Sequence, residues 1–134
     1  FHLLAVDGDE CLLVEHDARG DARHSLPSGI HVVVNVGFDG DWFVPDGRPD
    51  AGRRQARNAD RVRKALDPRP GETGAEWTAR AGEILGDHEY GVCVHGDGFG
   101  TRSSSLVRLG DERVYEFADG PPCETPFRVV DESV

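Results

Sequence analysis

The segment YGVCVHGDGFGTRSSSLVRL, from Tyr90 to Leu109, is the most informative part of the sequence for predicting the fold. An apolar run enters a loop with glycine at every second position (Gly96, Gly98 and Gly100), and the chain leaves it through Arg102 into a second apolar run. Glycine tolerates positive φ angles and lets other groups approach the backbone closely. The segment therefore predicts two strands, Tyr90–His95 and Ser103–Leu109, joined by a glycine-rich loop. The arginine just beyond the loop offers donors to an anion or carbonyl.

Two helices are predicted before this segment. Between Pro49 and Leu66 apolar residues recur at helical spacing, and Asp67-Pro68 ends the pattern. Thr73-Gly-Ala-Glu76 matches a capping box, which satisfies free backbone donors at a helix start. Trp77, Ala81, Ile84 and Leu85 line one side of this second helix, with Trp77 predicted to lie in the core, and Gly86 closes the helix.

Apolar runs predict strands on both sides of the helices. Leu3–Val6 and Cys11–Val14 flank the turn sequence Asp7–Glu10, a hairpin signal. Ile30–Val36 is a continuous β-branched run that suits a covered strand, and Arg113–Phe117 predicts a late one. Strands, then two helices, then antiparallel strands indicate an α+β fold, mainly antiparallel, with one domain over residues 1–134.

The composition is acidic. Acids outnumber bases by 25 to 15, the formal charge is −10, and Lys64 is the one lysine. We interpret this as a halophile-like surface; a GC-rich genome that favours arginine is the alternative. The charge opposes binding to nucleic acid and to anionic membranes, and no apolar run approaches the ~18 residues of a membrane span.

The sequence predicts no metal site and no cofactor. Cys11, Cys93 and Cys123 are odd in number, far apart and without a CxxC pair, which argues against disulfides and a thiolate zinc site and favours a reducing cytoplasm. The histidines are scattered, and Asp39-Gly-Asp41 is better explained as a turn than as a calcium loop. A basic cluster on the first predicted helix is interpreted as a solvated face; its members are Arg53, Arg54, Arg57, Arg61, Arg63 and Lys64.

The order strand, Gly-Phe-Gly-Thr-Arg-Ser, strand resembles the C-terminal part of the NRDE family. These relatives of the eukaryotic transport-and-Golgi-organisation protein are similar to N-terminal-nucleophile (Ntn) hydrolases. Ser28–Asn35 resembles the family's Gly-Leu-Ser-Asn strand end, Tyr90–Val107 its Gly-Tyr-Gly-Thr-Arg-Thr-Asn region, and Cys123–Val130 its closing strand. The resemblance implies a partial αββα sandwich with two helices inserted mid-chain, from which the N-terminal half with the nucleophile is absent.

The resemblance also implies the site residues. Asn35 and Arg102 take supporting catalytic roles, Asn35 as a donor to an oxyanion and Arg102 as the holder of a carboxylate or carbonyl. The ligand-binding residues are Gly98, Phe99, Gly100, Thr101 and Ser103. The alternatives are that Asn35 bonds its own loop, that Arg102 pairs with a surface acid, and that the glycines merely shape a hairpin. We expect Asn35 and Arg102 to face one shared cleft.

The resemblance leaves three alternative functions. The parent protein is a hydrolase of C–N amide bonds that uses an N-terminal cysteine, or a non-catalytic small-ligand binding or trafficking protein, related to haem or lipid. The third alternative is an inactive structural partner or a truncated remnant. Phe1 has no nucleophilic atom, so we expect this chain alone to be inactive. The expected partners are a small molecule, the missing N-terminal half and, as a further option, a second copy of the chain. Because the chain lacks methionine, we expect the coding sequence before Phe1 to encode a Met-Cys start and an Asn-Arg-Asp-Glu-like segment.

The charge generates a first prediction. Folding should become more stable between ~0.1 M and ~1 M KCl, because the surplus carboxylates repel one another and the screening length falls from ~10 Å to ~3 Å over that range. Thermal unfolding followed by circular dichroism measures the effect. A melting temperature that falls or stays constant would contradict the halophile-like interpretation.

Overall fold

The computed structural model describes residues 1–7, 10–17, 20–110 and 112–131. Over these residues it contains two α-helices and several small antiparallel sheets, which confirms the predicted α+β class. The chain divides into two compact units, Phe1–Arg63 and Lys64–Val134. Among the described residues, no helix is both long and apolar enough to cross a membrane.

A three-stranded antiparallel sheet opens the first unit. Its strands, in spatial order, are β1 (His2–Asp7), β2 (Glu10–Asp17) and β3 (Gly20–Ser25). Leu4 of β1 pairs with Leu13 of β2, and Leu13 is completely buried. The predicted hairpin of Leu3–Val6 and Cys11–Val14 is confirmed, while its turn residues Gly8 and Asp9 lie outside the described residues.

A second, smaller sheet follows in the first unit. Its strands are β4 (Val33–Val34), β5 (Gly37–Phe38) and β6 (Asp41–Trp42). The strand predicted over Ile30–Val36 is therefore much shorter than expected. The Asp39 carboxylate accepts a hydrogen bond from the Val32 N–H at 2.9 Å and also contacts the His31 ring. The residues before β4 thus bond to the turn at Asp39 instead of extending the strand, and Asp39-Gly-Asp41 forms the predicted turn.

Helix α1 spans Pro49–Ala65 and confirms the first predicted helix. Its buried residues are Gly52, Ala59 and Val62. Gly52 allows a close approach, since a Cβ there would lie 2.4 Å from Cδ of Pro45. All six residues of the basic cluster are exposed, and Arg53 pairs with Asp50 at 2.6 Å, which supports the interpretation as a solvated face.

Helix α2 (Gly74–Gly86) lies in the second unit and begins with the predicted capping box. The Thr73 hydroxyl accepts a hydrogen bond from the Glu76 N–H at 3.2 Å, and the Glu76 carboxylate accepts one from the Thr73 N–H at 2.8 Å. Ala81 and Ile84 are buried as predicted. The predicted core residue Trp77 is half-buried, and its indole N–H donates to a backbone carbonyl.

Helix α2 packs on a three-stranded antiparallel sheet. The sheet order is β11 (Arg128–Val129), β10 (Val114–Ala118) and β9 (Ser104–Arg108). Gly82 lets the helix approach, since a Cβ there would lie 3.1 Å from Leu106 of β9 and 3.3 Å from the Phe127 ring. β9 and β10 confirm the strands predicted over Ser103–Leu109 and Arg113–Phe117 to within a residue or two at each end.

Most of the predicted strand Tyr90–His95 is irregular. A 3₁₀ turn covers His88–Tyr90, and Asp87 caps it by accepting the Glu89 N–H at 2.8 Å. Gly91 then takes a left-handed φ of 67°, which ends the turn. Regular pairing is limited to the short hairpin of β7 (His95–Gly96) and β8 (Phe99–Gly100). The local capping interaction thus replaces the extended conformation that the apolar run predicts.

A buried ion pair connects α2 to the chain before it. The guanidinium of Arg80, which is 8% exposed, donates to both carboxylate oxygens of Glu72 at 2.7 Å each. It also donates to the backbone carbonyls of Ala65 and Asp67. A buried cation is tolerated only when it is paired and hydrogen-bonded. The network therefore joins α2 to the last residue of α1 and to the linker that follows.

This network generates a pH prediction. Hydrogen bonding from Arg80 lowers the pKa of Glu72 from 4.5 to about 2. The pKa of Glu72 is lower in the folded state than in the unfolded state. The ionised carboxylate therefore stabilises the fold above pH 4.5, and this stabilisation is lost as the pH falls towards about 2. Glu72→Gln should lower the melting temperature at neutral pH by several degrees and flatten its pH dependence in that acidic range.

The matched control is Glu83→Gln, which changes an exposed carboxylate of the same unit. Melting temperatures of both variants and the wild type, recorded as a function of pH, test the prediction. The control should follow the wild-type profile. A Glu72→Gln profile as steep as that of the wild type would contradict the assignment.

Candidate functional site

The predicted ligand loop is a tight hairpin. β7 and β8 pair across a turn at Asp97 and Gly98, and Gly98 takes the left-handed φ of 75°. A Cβ on Gly100 would lie 2.7 Å from the carbonyl oxygen of Val94, so the backbone leaves no space for a side chain. The conformation of the hairpin therefore explains both glycines. It is also compatible with their lining a ligand site.

Thr101 anchors the base of this hairpin. Its N–H donates to the Val94 carbonyl at 2.8 Å, and its hydroxyl accepts the Val94 N–H at 3.0 Å. The hydroxyl also lies 3.4 Å from the Val92 carbonyl, to which it donates. Phe99, by contrast, is 71% exposed at the tip. Thr101 thus stabilises the loop, while Phe99 is the accessible apolar surface.

Arg102 follows immediately and is exposed. Within the described ranges its guanidinium forms no hydrogen bond and no ion pair, so the alternative of pairing with a surface acid is not observed there. Ser103 beside it is also exposed. A guanidinium carries five N–H donors in a planar fork, which suits a carboxylate or phosphate. Arg102 is therefore available to an anionic ligand.

Asn35 lies in the turn between β4 and β5 and is exposed. Its amide makes no hydrogen bond to the residues that the structure describes, so it does not bond its own loop there. Asn35 belongs to the first unit and Arg102 to the second. The shared cleft of these two residues stays a prediction.

Four metal-ligating side chains converge at the base of the hairpin in the second unit. The donor atoms of His88, Cys93, His95 and Cys123 all lie within 4.8 Å of one another. Cys93 Sγ is 3.5 Å from Cys123 Sγ, and Nε2 of His95 lies 3.1 Å from Cys123 Sγ and 3.6 Å from Cys93 Sγ. The His88 and His95 rings meet edge to face, with centroids 5.1 Å apart. We call these four residues the thiol-imidazole cluster.

Different local structures position the members of the cluster. His88 begins the 3₁₀ turn after α2, and His95 begins β7. Cys123 lies in the turn that follows Pro122. The last residue of α2, Gly86, lies close to this turn, since a Cβ there would be 2.9 Å from the Pro122 carbonyl oxygen. The end of α2 therefore brings the turn of Cys123 to the residues that follow the helix.

The electrostatics of the cluster oppose an activated nucleophile. Burial raises the pKa of the Cys123 thiol above its usual 9.0, and the hydrogen bond shared with the Cys93 sulfur raises it further. The reactive form of a cysteine is the thiolate, and catalytic cysteines carry a lowered pKa. The pKa of Cys123 is shifted in the opposite direction.

The cluster was missed from the sequence, although one signal for it was present. Cys93 and His95 are two residues apart in a predicted strand, a spacing that places both side chains on one face. The pairing of Cys93 with Cys123, 30 residues later, has no local signal because it depends on how the second unit packs.

Two grooves among the described residues of the second unit lie elsewhere. One, of about 500 Å³, is lined by Ala79 and Gly82 of α2 together with Leu106 and Phe127. The other, of about 290 Å³, includes Phe117. Neither is lined by a residue of the predicted ligand loop.

No protein-family model, curated protein or solved structure matches this chain. The NRDE resemblance and the roles that it implies therefore remain predictions.

The hairpin anchor generates a prediction. Thr101→Val keeps the shape of the side chain but removes the hydroxyl that accepts the Val94 N–H. The free energy of unfolding should fall by about 1 kcal/mol, because the N–H of the exposed Val94 exchanges its protein acceptor for water. Hydrogen exchange at the Val94 amide should accelerate, while Ser103→Ala, which removes an exposed hydroxyl, should leave that rate unchanged. Equal exchange rates in the wild type and Thr101→Val would contradict the anchoring role.

Proposed function

We propose that this chain carries the small-ligand-binding part of an NRDE-family, Ntn-hydrolase-like protein, with Arg102 as the receptor for an anionic or carbonyl group. The observation that carries the proposal is the exposed Arg102 guanidinium, which has no protein partner among the described residues. It directly follows Thr101, whose two hydrogen bonds to Val94 fix the hairpin base. The backbone of Arg102 is thereby fixed, while its guanidinium is accessible to a ligand.

Uncovered apolar side chains support the partial-sandwich interpretation. In β1, Leu3 and Leu4 are 55% and 52% exposed, although their side chains point to opposite faces of the strand. In the second unit, Val107 and Tyr115 are exposed on the sheet. Sheets in a layered sandwich are covered on their apolar faces. We propose that the N-terminal half implied by the resemblance supplies such a cover, and a second copy of the chain is the alternative.

Within this proposal, the parent protein hydrolyses a C–N amide bond. The terminal cysteine that the resemblance implies adds to the amide carbonyl, the amine leaves with a proton, and water then releases the acyl group. The resemblance gives Asn35 the role of oxyanion donor and Arg102 the role of substrate holder in the parent protein. We also propose a cytoplasmic location, in keeping with three free cysteines.

A non-catalytic binding or trafficking protein, with a haem- or lipid-related ligand, is the second candidate.

Titration with N-acetylglycine, which carries both an amide bond and a carboxylate, tests ligand binding. In ¹H–¹⁵N spectra the amides of residues 98–103 should shift, and Arg102→Gln should weaken the affinity about tenfold or more, because a hydrogen bond to a charged group contributes roughly 1.5–3 kcal/mol. The control is Arg113→Gln, another exposed arginine of the same unit. Equal weakening in both variants, or no shift at 98–103, would refute the role of Arg102.

The same probe separates the two candidate functions. The chain alone should leave N-acetylglycine intact. In a protein extended by the upstream coding sequence, release of free glycine supports the hydrolase, whereas binding without release supports the binding protein.

A further inference from the structure

The geometry of the thiol-imidazole cluster is close to that of a tetrahedral metal site. Zinc bonds of about 2.3 Å to sulfur and 2.0–2.1 Å to nitrogen place two sulfur ligands roughly 3.8 Å apart and a sulfur–nitrogen pair roughly 3.5 Å apart. The corresponding distances are 3.5 Å between Cys93 and Cys123 and 3.6 Å and 3.1 Å from these sulfurs to His95. Shifts of a few tenths of an ångström bring Cys93, Cys123 and His95 to tetrahedral spacing, and the donor atom of His88 lies within 4.8 Å of each of theirs.

The donor types select the class of metal. Two thiols and two imidazoles suit zinc and other borderline or soft transition metals, whereas calcium and magnesium take oxygen ligands. The carboxylate of Glu124 is not part of the cluster. The donor set therefore excludes a hard-cation site and corresponds to the Cys₂His₂ class.

A disulfide accounts for fewer of the observations. Cys93 and Cys123 are both free, with sulfurs 3.5 Å apart, well beyond the bonding distance of about 2.05 Å. A disulfide also does not explain why the rings of His88 and His95 lie next to both sulfurs. A metal ion accounts for all four side chains at once.

We propose that His88, Cys93, His95 and Cys123 bind one Zn²⁺ ion in a structural site. Four protein ligands fill the tetrahedron and leave no open position for a substrate, which distinguishes structural from catalytic zinc. Binding converts the two thiols to thiolates and releases their protons to solvent. The ion then joins the base of the hairpin to the turn of Cys123. This site is independent of the ligand proposed for Arg102.

Metal content is the first test. The full chain, reduced and reconstituted with zinc chloride, then desalted, should retain one zinc ion per chain by mass spectrometry of the metal. Cys123→Ser should lose it, while Cys11→Ser, which changes the cysteine of β2, should retain it. Zinc absent from the wild type, or lost equally in both variants, would overturn the proposal.

Cobalt titration of the chelator-treated chain tests the ligand set. The wild type should give the visible bands of tetrahedral cobalt and a sulfur-to-cobalt charge-transfer band in the near ultraviolet. His88 is exposed, so His88→Gln should fold, as circular dichroism without metal can check. Its affinity for cobalt should fall more than about a hundredfold. Losing a direct ligand should reduce the affinity more than losing an outer-shell partner does, which costs about 10–100-fold. The exposed His16 lies in the first unit, and His16→Gln is the control.

Two outcomes would overturn the ligand assignment even where Cys123→Ser fails to fold. One is a cobalt spectrum without the sulfur band. The other is an unchanged cobalt affinity in His88→Gln.

Discussion

The buried guanidinium of Arg80 is the interaction on which the second unit depends. It donates to Glu72 and to the carbonyls of Ala65 and Asp67, so the first turns of α2 are fixed to the chain that precedes them. From this fixed start, Gly82 brings α2 onto Leu106 of the sheet. A buried arginine without partners is strongly destabilising, and the network is therefore a requirement of the fold rather than an addition to it.

The position of α2 in turn explains the thiol-imidazole cluster. The end of the helix at Gly86 lies against Pro122, next to Cys123, and the chain that leaves the helix supplies His88, Cys93 and His95. These ligands lie on short turns and a two-residue strand, which have few hydrogen bonds of their own. A metal ion is the kind of cross-link that small irregular segments use where a hydrophobic core is limited. It would also stabilise the hairpin that presents Arg102, so the two proposals concern neighbouring parts of one structure.

The sequence predicted the features that depend on local chemistry. The capping box of Thr73 and Glu76, both helices, and the hairpin of β1 and β2 follow from short-range patterns, and the structure confirms them. The length of the strand predicted over Ile30–Val36 was overestimated, because the Asp39 carboxylate accepts the hydrogen bond from the Val32 N–H. Propensity in an apolar run cannot account for such a competing acceptor.

The features that the sequence did not predict depend on distant parts of the chain. Arg80 resembles a surface residue of an amphipathic helix, and its burial is evident only once Glu72 and the carbonyls of the linker surround it. Cys93 and Cys123 are likewise brought together by packing. The conformation of the glycine-rich hairpin was therefore predictable, because its neighbours are local, whereas the cluster was not. The role of Arg102 stays a prediction.

X-ray absorption at the zinc edge of the reconstituted chain tests the central claim most directly, because it measures the ligands of the ion itself. We expect two sulfur ligands at about 2.3 Å and two imidazole nitrogens at about 2.0–2.1 Å. A first shell of oxygen and nitrogen alone, without sulfur, would contradict it.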